Sequence, residues 1–200
     1  MVGTINRAQF EPLEQQYISL GPVCGVDEAG RGPLAGDVYA AAVILPEEYD
    51  LPGLNDSKQC SEKVRERLYK AITEQAVAWS IGIATVDEIA RFNILRAALL
   101  AMKRAVGSLP VPAAFALVDG NQCPTLAIPC ETLVRGDARC ASIAAASILA
   151  KVSRDHAMIV LDAQYPGYGF AQHKGYGTRA HYDALERLGP CCVHRMGFLH

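Results

Sequence analysis

Apolar residues recur along this chain with two periods, and the changes of period mark out most of its elements. The stretches 22–28 (PVCGVDE) and 36–45 (GDVYAAAVIL) are short, mostly apolar and flanked by glycine or proline, which predicts two strands. Gly30, Arg31, Gly32 and Pro33 between them make a turn, because glycine admits dihedrals closed to other residues and proline fixes one. Over 61–76 the period lengthens, and Val64, Leu68 and Ile72 fall on one face of an amphipathic helix. Residues 77–84 alternate like a strand. Thr85 and Glu88 have capping-box spacing for a short helix. Asn93 caps the next helix, whose apolar positions include Leu95, Leu99, Met102 and Val106. A run over 114–118 ends on Asp119-Gly120, the pattern of a buried strand whose last residue meets solvent. A long alanine-rich helix is predicted from Ala141 to just before Pro166. A glycine-rich loop, GYGFAQHKGYGT, follows, and Thr178 caps a last helix that stops at Gly189-Pro190.

Strands come first, and helices and strands alternate afterwards. That order predicts an α/β protein with a mixed sheet and helices on both faces. Its only internal boundary falls near Tyr165, between a main body over 1–165 and a small C-terminal loop and helix over 166–200 of the same domain. The 200 residues are enough for one sizeable core.

Composition narrows the setting. No apolar run reaches the roughly 18 residues that span a bilayer. The opening segment MVGTINRAQFEPLEQQ lacks the apolar stretch of a secretory leader, so a cytoplasmic protein with no membrane partner is expected. The 7 cysteines are odd in number and contain no CxxC pair, which predicts reduced thiols packing as small apolar groups. A net charge of −2 argues against a generic basic nucleic-acid binder but leaves room for a nuclease whose carboxylates are offset by cations.

Those carboxylates are the candidate chemistry. Asp27 and Glu28 close the first predicted strand, Asp119 ends a later buried one, and Asp137 precedes the long helix. Ligands of α/β folds gather at strand ends, so the placements point to one polar site at an edge of the sheet. Buried like charges raise one another's pKa, which makes a cation the natural neutraliser, and all-oxygen ligation selects Mg²⁺ or Mn²⁺ over Zn²⁺. Each residue also has an ordinary reading: a strand-end Asp is commonly a turn or cap residue, and Asp137 is a respectable N-cap. Adjacent strand residues face opposite ways, so Asp27 and Glu28 share a site only if the strand ends or twists there.

Longer blocks decide between these readings. GVDEAGRGPLAGDVYAAAVIL, LNDSKQCSEKVRERLY, NILRAALLAMKRAV, LVDGNQCP, RGDARCASIAAASILAKVSRD and YGFAQHKGYGT resemble, in the same order, blocks of bacterial ribonuclease HII, the type 2 ribonuclease H family. The resemblance runs from about Cys24 to Phe198. It implies a ribonuclease H-like mixed sheet flanked by helices, with a small C-terminal helical element. It also implies that Asp27, Glu28, Asp119 and Asp137 are catalytic and hold two divalent metal ions, Mn²⁺ or Mg²⁺, with Asp27 shared between them. The expected activity is endonucleolytic hydrolysis of RNA in RNA/DNA hybrids, and cutting 5′ of single ribonucleotides in duplex DNA, leaving 5′-phosphate and 3′-hydroxyl ends.

The resemblance extends to substrate contacts. Gly30, Arg31 and Gly32 match the turn that reads a ribose 2′-hydroxyl, the group that separates RNA from DNA. Tyr176 in GYGT matches a tyrosine that packs on the following deoxyribose, with Tyr168 as the other candidate in that loop. Lys58 in NDSK matches a phosphate contact. Arg135, Arg139, Lys151, Arg154, Lys174 and Arg179 are candidates to line the duplex path, and His173 and His194 are read as structural or rim residues. Arg135 stands where Lys is common, and HRMGF stands where HRxSF is more usual. The protein is expected to act as a monomer on RNA/DNA hybrids and on DNA with embedded ribonucleotides. The rivals are a related metal-dependent nuclease or resolvase of the same fold, and a non-catalytic hybrid-binding module. The glycine-rich turn and GYGT loop disfavour the first, and the presence of all four acidic residues disfavours the second.

Overall fold

The computed structural model describes residues 10–199. Residues 1–9, on which the reading of a missing leader partly rests, and His200 lie outside the described residues. Five strands form one open sheet in the order β3-β2-β1-β4-β5: β1 (Val23–Ala29), β2 (Val38–Ile44), β3 (Ala78–Ala84), β4 (Phe115–Asp119) and β5 (Cys130–Leu133). β2 pairs antiparallel with both β1 and β3, whereas β4 runs parallel to β1 and β5 runs parallel to β4. The sheet is therefore mixed, as the element order predicts.

Helices cover both faces. On one lie α1 (Glu62–Gln75) and the long α5 (Ala141–Gln164), packed on Ala41 and Val43 of β2. On the other lies α3 (Ile94–Gly107), packed with Val26, Ala40, Ala42 and Val118. Ser61 caps α1 and Thr178 caps α7 (Arg179–Leu188). Thr85 and Glu88 make both bonds of the expected capping box at α2 (Val86–Phe92). The buried face of α3 differs from the predicted stripe. It centres on Ala97, Ala98, Ala101, Met102 and Ala105, while Leu95, Leu99 and Val106 sit at its margins. The cause is close approach: a Cβ on Gly82 of β3 would fall 2.1 Å from the Ala101 carbonyl oxygen. Only small side chains fit between helix and sheet there.

Three short features depart from the sequence expectation. β5 has only four residues (CETL), three of them polar or half-exposed, too few for a period to register. α4 (Gly136–Arg139) stands apart from α5, so Asp137 caps neither: the capping positions are Arg135 and Cys140. Inside the glycine-rich loop one helical turn forms, α6 (Phe170–His173), closed at both ends by left-handed Gly169 and Lys174. The cysteine expectation is also corrected. Cys123 and Cys130 are disulfide-bonded, because the loop after β4 folds back and sets their Cα atoms 6.5 Å apart. The other five are free, with Cys24, Cys60 and Cys140 buried. No described helix is long and apolar enough to cross a membrane.

The C-terminal segment packs back on the main body. Tyr168, Phe170 and Ala184 form an apolar cluster with Ala35 and Met158. The tail closes against the segment after the Gly30 turn through an Ala35–His194 bridge, with Gly36 N–H donating to Val193 O and Arg195 N–H to Leu34 O.

Candidate active site

Parallel strands that end together bring their terminal side chains together. The β1–β4 register stops at Val26 opposite Val118, so Asp27 and Asp119 are the next residues on neighbouring strands. Strand alternation puts both on the α5 face. Leu117 packs with Ile143 of α5, and a Cβ on Gly25 would lie 2.2 Å from the Ser142 carbonyl carbon. Asp137 reaches the same place by another route. Beyond β5, Arg135 takes a left-handed conformation (φ 57°) that turns the chain into α4, and the Gly136 N–H donates to Asp119 Oδ1 at 2.7 Å. One carboxylate oxygen from each of Asp27, Asp119 and Asp137 then lies within 4.8 Å of the others.

Glu28 stands outside this trio. β1 continues to Ala29, so alternation turns Glu28 to the other face, where its Oε1 lies 3.3 Å from Arg31 Nη1. Its charge still acts on the site. Burial pushes Asp27 well above the usual carboxylate range, and the Glu28, Asp119 and Asp137 charges add to this against the Glu28 amide that Asp27 accepts. Asp137 is raised by burial first and then by Asp119 and Asp56, with Lys58 opposing. Burial also raises Glu28, with Arg31 opposing. Among the described residues no ion pair neutralises Asp27 or Asp119, and Asp137 has only the exposed Lys58, whose Nζ lies 3.9 Å away. Some loss of solvation works against the Lys58 charge, but Asp56, Asp27, Asp137 and Asp119 outweigh it and raise its pKa. Three close carboxylates with so little compensation, all oxygen donors, fit a hard divalent cation.

Beside the trio lie the other predicted residues. Gly30 is buried at φ 101°, whereas Arg31 and Gly32 are exposed. A Cβ on Gly32 would lie 3.9 Å from the Tyr176 ring, so the turn and the GYGT loop meet. Leu34 N–H donates to Gly175 O at 2.8 Å and fastens one to the other. Tyr176 is 42% exposed, with Lys151 Nζ and the Arg154 guanidinium each 5.8 Å from its ring centre. Tyr168 is buried instead, its hydroxyl donating to Gly189 O.

Not every candidate for the duplex path faces solvent. Arg154 is 1% exposed and bonds the carbonyls of Ala35, Asp37 and Lys174. Arg139, partly exposed, pairs with Glu11, whereas Arg179 is 91% exposed and pairs with Asp183 at the surface. His173, His181 and His194 are buried together around Phe170 and serve packing. The burial of Arg154 and Arg195 leaves no mark in sequence, since arginine is ordinarily a surface residue.

Three comparisons bear on this arrangement. The family model described as Ribonuclease HII matches residues 24–200. A Ribonuclease HII from Dechloromonas aromatica (strain RCB) is 61% identical over 186 residues, 93% of this chain and 95% of that protein. One from Syntrophotalea carbinolica is 56% identical over 176 residues, 88% of this chain and 84% of that protein. The crystal structure of the ribonuclease H2 from Pyrococcus horikoshii OT3 superposes with a TM-score of 0.72 at 25% identity, covering 88% of this chain and 92% of that one.

Proposed function

The chain belongs to the ribonuclease HII family and is an endonuclease acting on RNA in RNA/DNA hybrids, and we propose that Asp27, Glu28, Asp119 and Asp137 are the residues that carry its catalysis. Divalent-metal dependence goes with the family; two ions, Mn²⁺ or Mg²⁺, held by these four side chains are our reading of this site. The observation that carries it is the meeting of three carboxylates from β1, β4 and the turn after β5 within 4.8 Å. Family membership sets aside the non-catalytic module, and the turn and loop beside the trio favour this substrate over that of a related resolvase.

Bound divalent ions supply positive charge to the scissile phosphate and lower the pKa of water to the point where it attacks near neutral pH. Asp27, the most enclosed of the trio, would be the ligand shared between the ions. Asp119 and Asp137 would hold the ions from the α5 side, and Glu28, beside Arg31 on the other face, would join them by turning from that contact. Among the described residues no histidine joins the trio, and the carboxylates would orient the attacking water.

The substrate is read on one flank. The Gly30-Arg31-Gly32 turn brings exposed backbone to the ribose 2′-hydroxyl, and Arg31 and Lys58 meet phosphates. Tyr176 lies against Gly32 and offers its ring to the next sugar. This order selects an RNA-to-DNA step and sets the cut 5′ of the ribonucleotide. Residues 1–165 then form the catalytic core and 166–200 a substrate-binding appendage of the same domain. One chain supplies every group, so a monomer suffices.

The test is thermal unfolding and strand cutting of the same samples with and without Mn²⁺. Added ion should raise Tm, by about 2.7 kcal/mol of linkage at a hundredfold excess over Kd. Asp27→Asn should remove that gain, and turnover with it. A full Tm gain in the variant would remove Asp27 from the ligand set.

A further inference from the structure

The geometry points to Arg195 as a positioning residue for ribose recognition: its buried guanidinium gathers the carbonyls of the Gly30 turn and so aims the N–H groups of Arg31 and Gly32 at the substrate. The inference rests on the proposed role of that turn. Arg195 is 2% exposed, and all its guanidinium nitrogens are engaged. Nη2 donates to Gly30 O at 2.7 Å and to Gly36 O at 2.6 Å. Nη1 donates to Arg31 O at 3.0 Å and Pro33 O at 2.9 Å, and Nε to Gly36 O at 2.9 Å.

A planar trans peptide holds each carbonyl opposite the next residue's N–H. With the Gly30 and Arg31 carbonyls drawn inward, the N–H groups of Arg31 and Gly32 face outward. Among the described residues neither has a protein partner, and both residues are exposed beside Tyr176. The next inward carbonyl, of Pro33, turns the Leu34 N–H toward Gly175 O, the bond that fastens the tyrosine loop. One side chain from the tail thus sets two free donors and the distance to the ring next to them.

Burying this charge has a cost, and the hydrogen bonds to the turn's carbonyls are what offset it. Among the described residues Arg195 has no carboxylate in contact; burial, together with the Arg154 charge, lowers its pKa to about 9 against the weaker pull of Asp37 and Tyr176. An apolar side chain would avoid that penalty but leave the carbonyls of Gly30, Arg31, Pro33 and Gly36 without this donor, so the guanidinium is what draws the turn inward. Lysine cannot replace it, since three donors on one atom do not span four carbonyls.

Amide resonances of Arg31 and Gly32 are followed while protein kept free of divalent ions, so that the strands stay uncut, is titrated with matched duplexes, one all-DNA and one carrying a single ribonucleotide. In the unaltered protein only the ribonucleotide duplex should move both resonances. Arg195→Lys should erase that difference and raise KM for the single-ribonucleotide duplex about tenfold or more, with kcat less affected and the Mn²⁺ titration midpoint unchanged. A folded Arg195→Lys protein that keeps both the amide response and KM would overturn the inference while leaving the turn's role standing. Amides that fail to distinguish the duplexes in the unaltered protein would overturn the turn's role and the inference with it. If Arg195→Lys does not fold, Phe198→Leu takes its place, because the Phe198 ring lies 5.4 Å from the Arg195 guanidinium and steadies it. That variant should lose part of the discrimination, and full discrimination would overturn the inference.

Discussion

Asp119 accepts the Gly136 N–H at 2.7 Å, and this bond ties the end of β4 to the turn that delivers Asp137. Gly136 also packs closely there, since a Cβ would lie 2.7 Å from Ile143 Cδ1 and push that side chain aside. The residue that holds the site together is therefore also one of its charges, and substitutions can separate the two roles.

Asp119→Asn keeps an oxygen that accepts the Gly136 amide, so the fold should survive while strand cutting drops to background. Asp119→Ala removes the acceptor and should cost a further 1–2 kcal/mol or so of stability, the usual consequence of an unsatisfied buried amide. Urea unfolding and turnover of both variants check this. Equal stability of the two would mean that the bond contributes nothing.

Much of this was legible in sequence because the site lies where regular elements end. The strand over 22–28, the run closing on Asp119 and the helix beginning at Ala141 are long or apolar enough to be read from their period, and each carries or flanks a carboxylate. Strand alternation alone separates Asp27 from Glu28, which is how the structure arranges them. What period could not show is how short segments turn: four-residue β5, the α4 turn that moves Asp137 off the helix it seemed to cap, and the Cys123–Cys130 pairing across a loop. Nor does sequence distinguish Arg154 and Arg195, buried on carbonyls, from Lys58, exposed beside the trio, since burial depends on what the tail packs against.

Lys58 is exposed and weakly paired, its Nζ 3.9 Å from Asp137, which leaves it free to meet a phosphate. Lys58→Ala should weaken binding of every duplex alike and reduce the slope of log K against log salt by about 1, one released counterion. Fluorescence anisotropy at several salt concentrations measures it. An unchanged slope would assign Lys58 to the surface.

The histidine cluster makes stability fall on acidification. His181 Nδ1–H donates to the Tyr176 carbonyl, and its Nε2 lies 3.1 Å from His194 Nε2, where a neutral His181 can accept. Burial lowers the His181 pKa to about 4, with the nearby His173 and His194 adding to this against its bond to Tyr176. An unfolded histidine titrates near 6.5, so between about pH 6.5 and 4 the unfolded chain binds a proton that the folded one refuses. Stability is then intact above that window and lost as pH falls through it, by at most on the order of 2–3 kcal/mol. Tm measured at pH 7, 5 and 4 should fall for the unaltered protein and fall less for His181→Asn. Parallel curves would exclude His181 as the source.

Tyr176 carries the sharpest prediction, because it separates reading of the substrate from chemistry. Its ring is 42% exposed, lies against the Gly32 turn and is backed by Lys151 and Arg154, each 5.8 Å from its centre. The exposed part of the ring is the surface open to a sugar. Tyr176→Ala removes that surface, a contact worth about 1–3 kcal/mol if it is comparable to base stacking, which corresponds to roughly 5- to 150-fold in kcat/KM. Tyr176→Phe keeps the ring and should retain most activity. Neither change touches a carboxylate, so the Mn²⁺-dependent gain in Tm should be the same in both variants and the unaltered protein. The assay is a labelled duplex with one ribonucleotide, run beside an all-RNA/DNA hybrid. The unaltered protein should cut the first on the 5′ side of its ribonucleotide, and Tyr176→Ala should lose more on that substrate than on the hybrid, where several riboses share the grip. Cutting of the hybrid alone by the unaltered protein would sink the junction reading, and an equal loss on both substrates would make Tyr176 a general contact; the carboxylate trio would stand in either case.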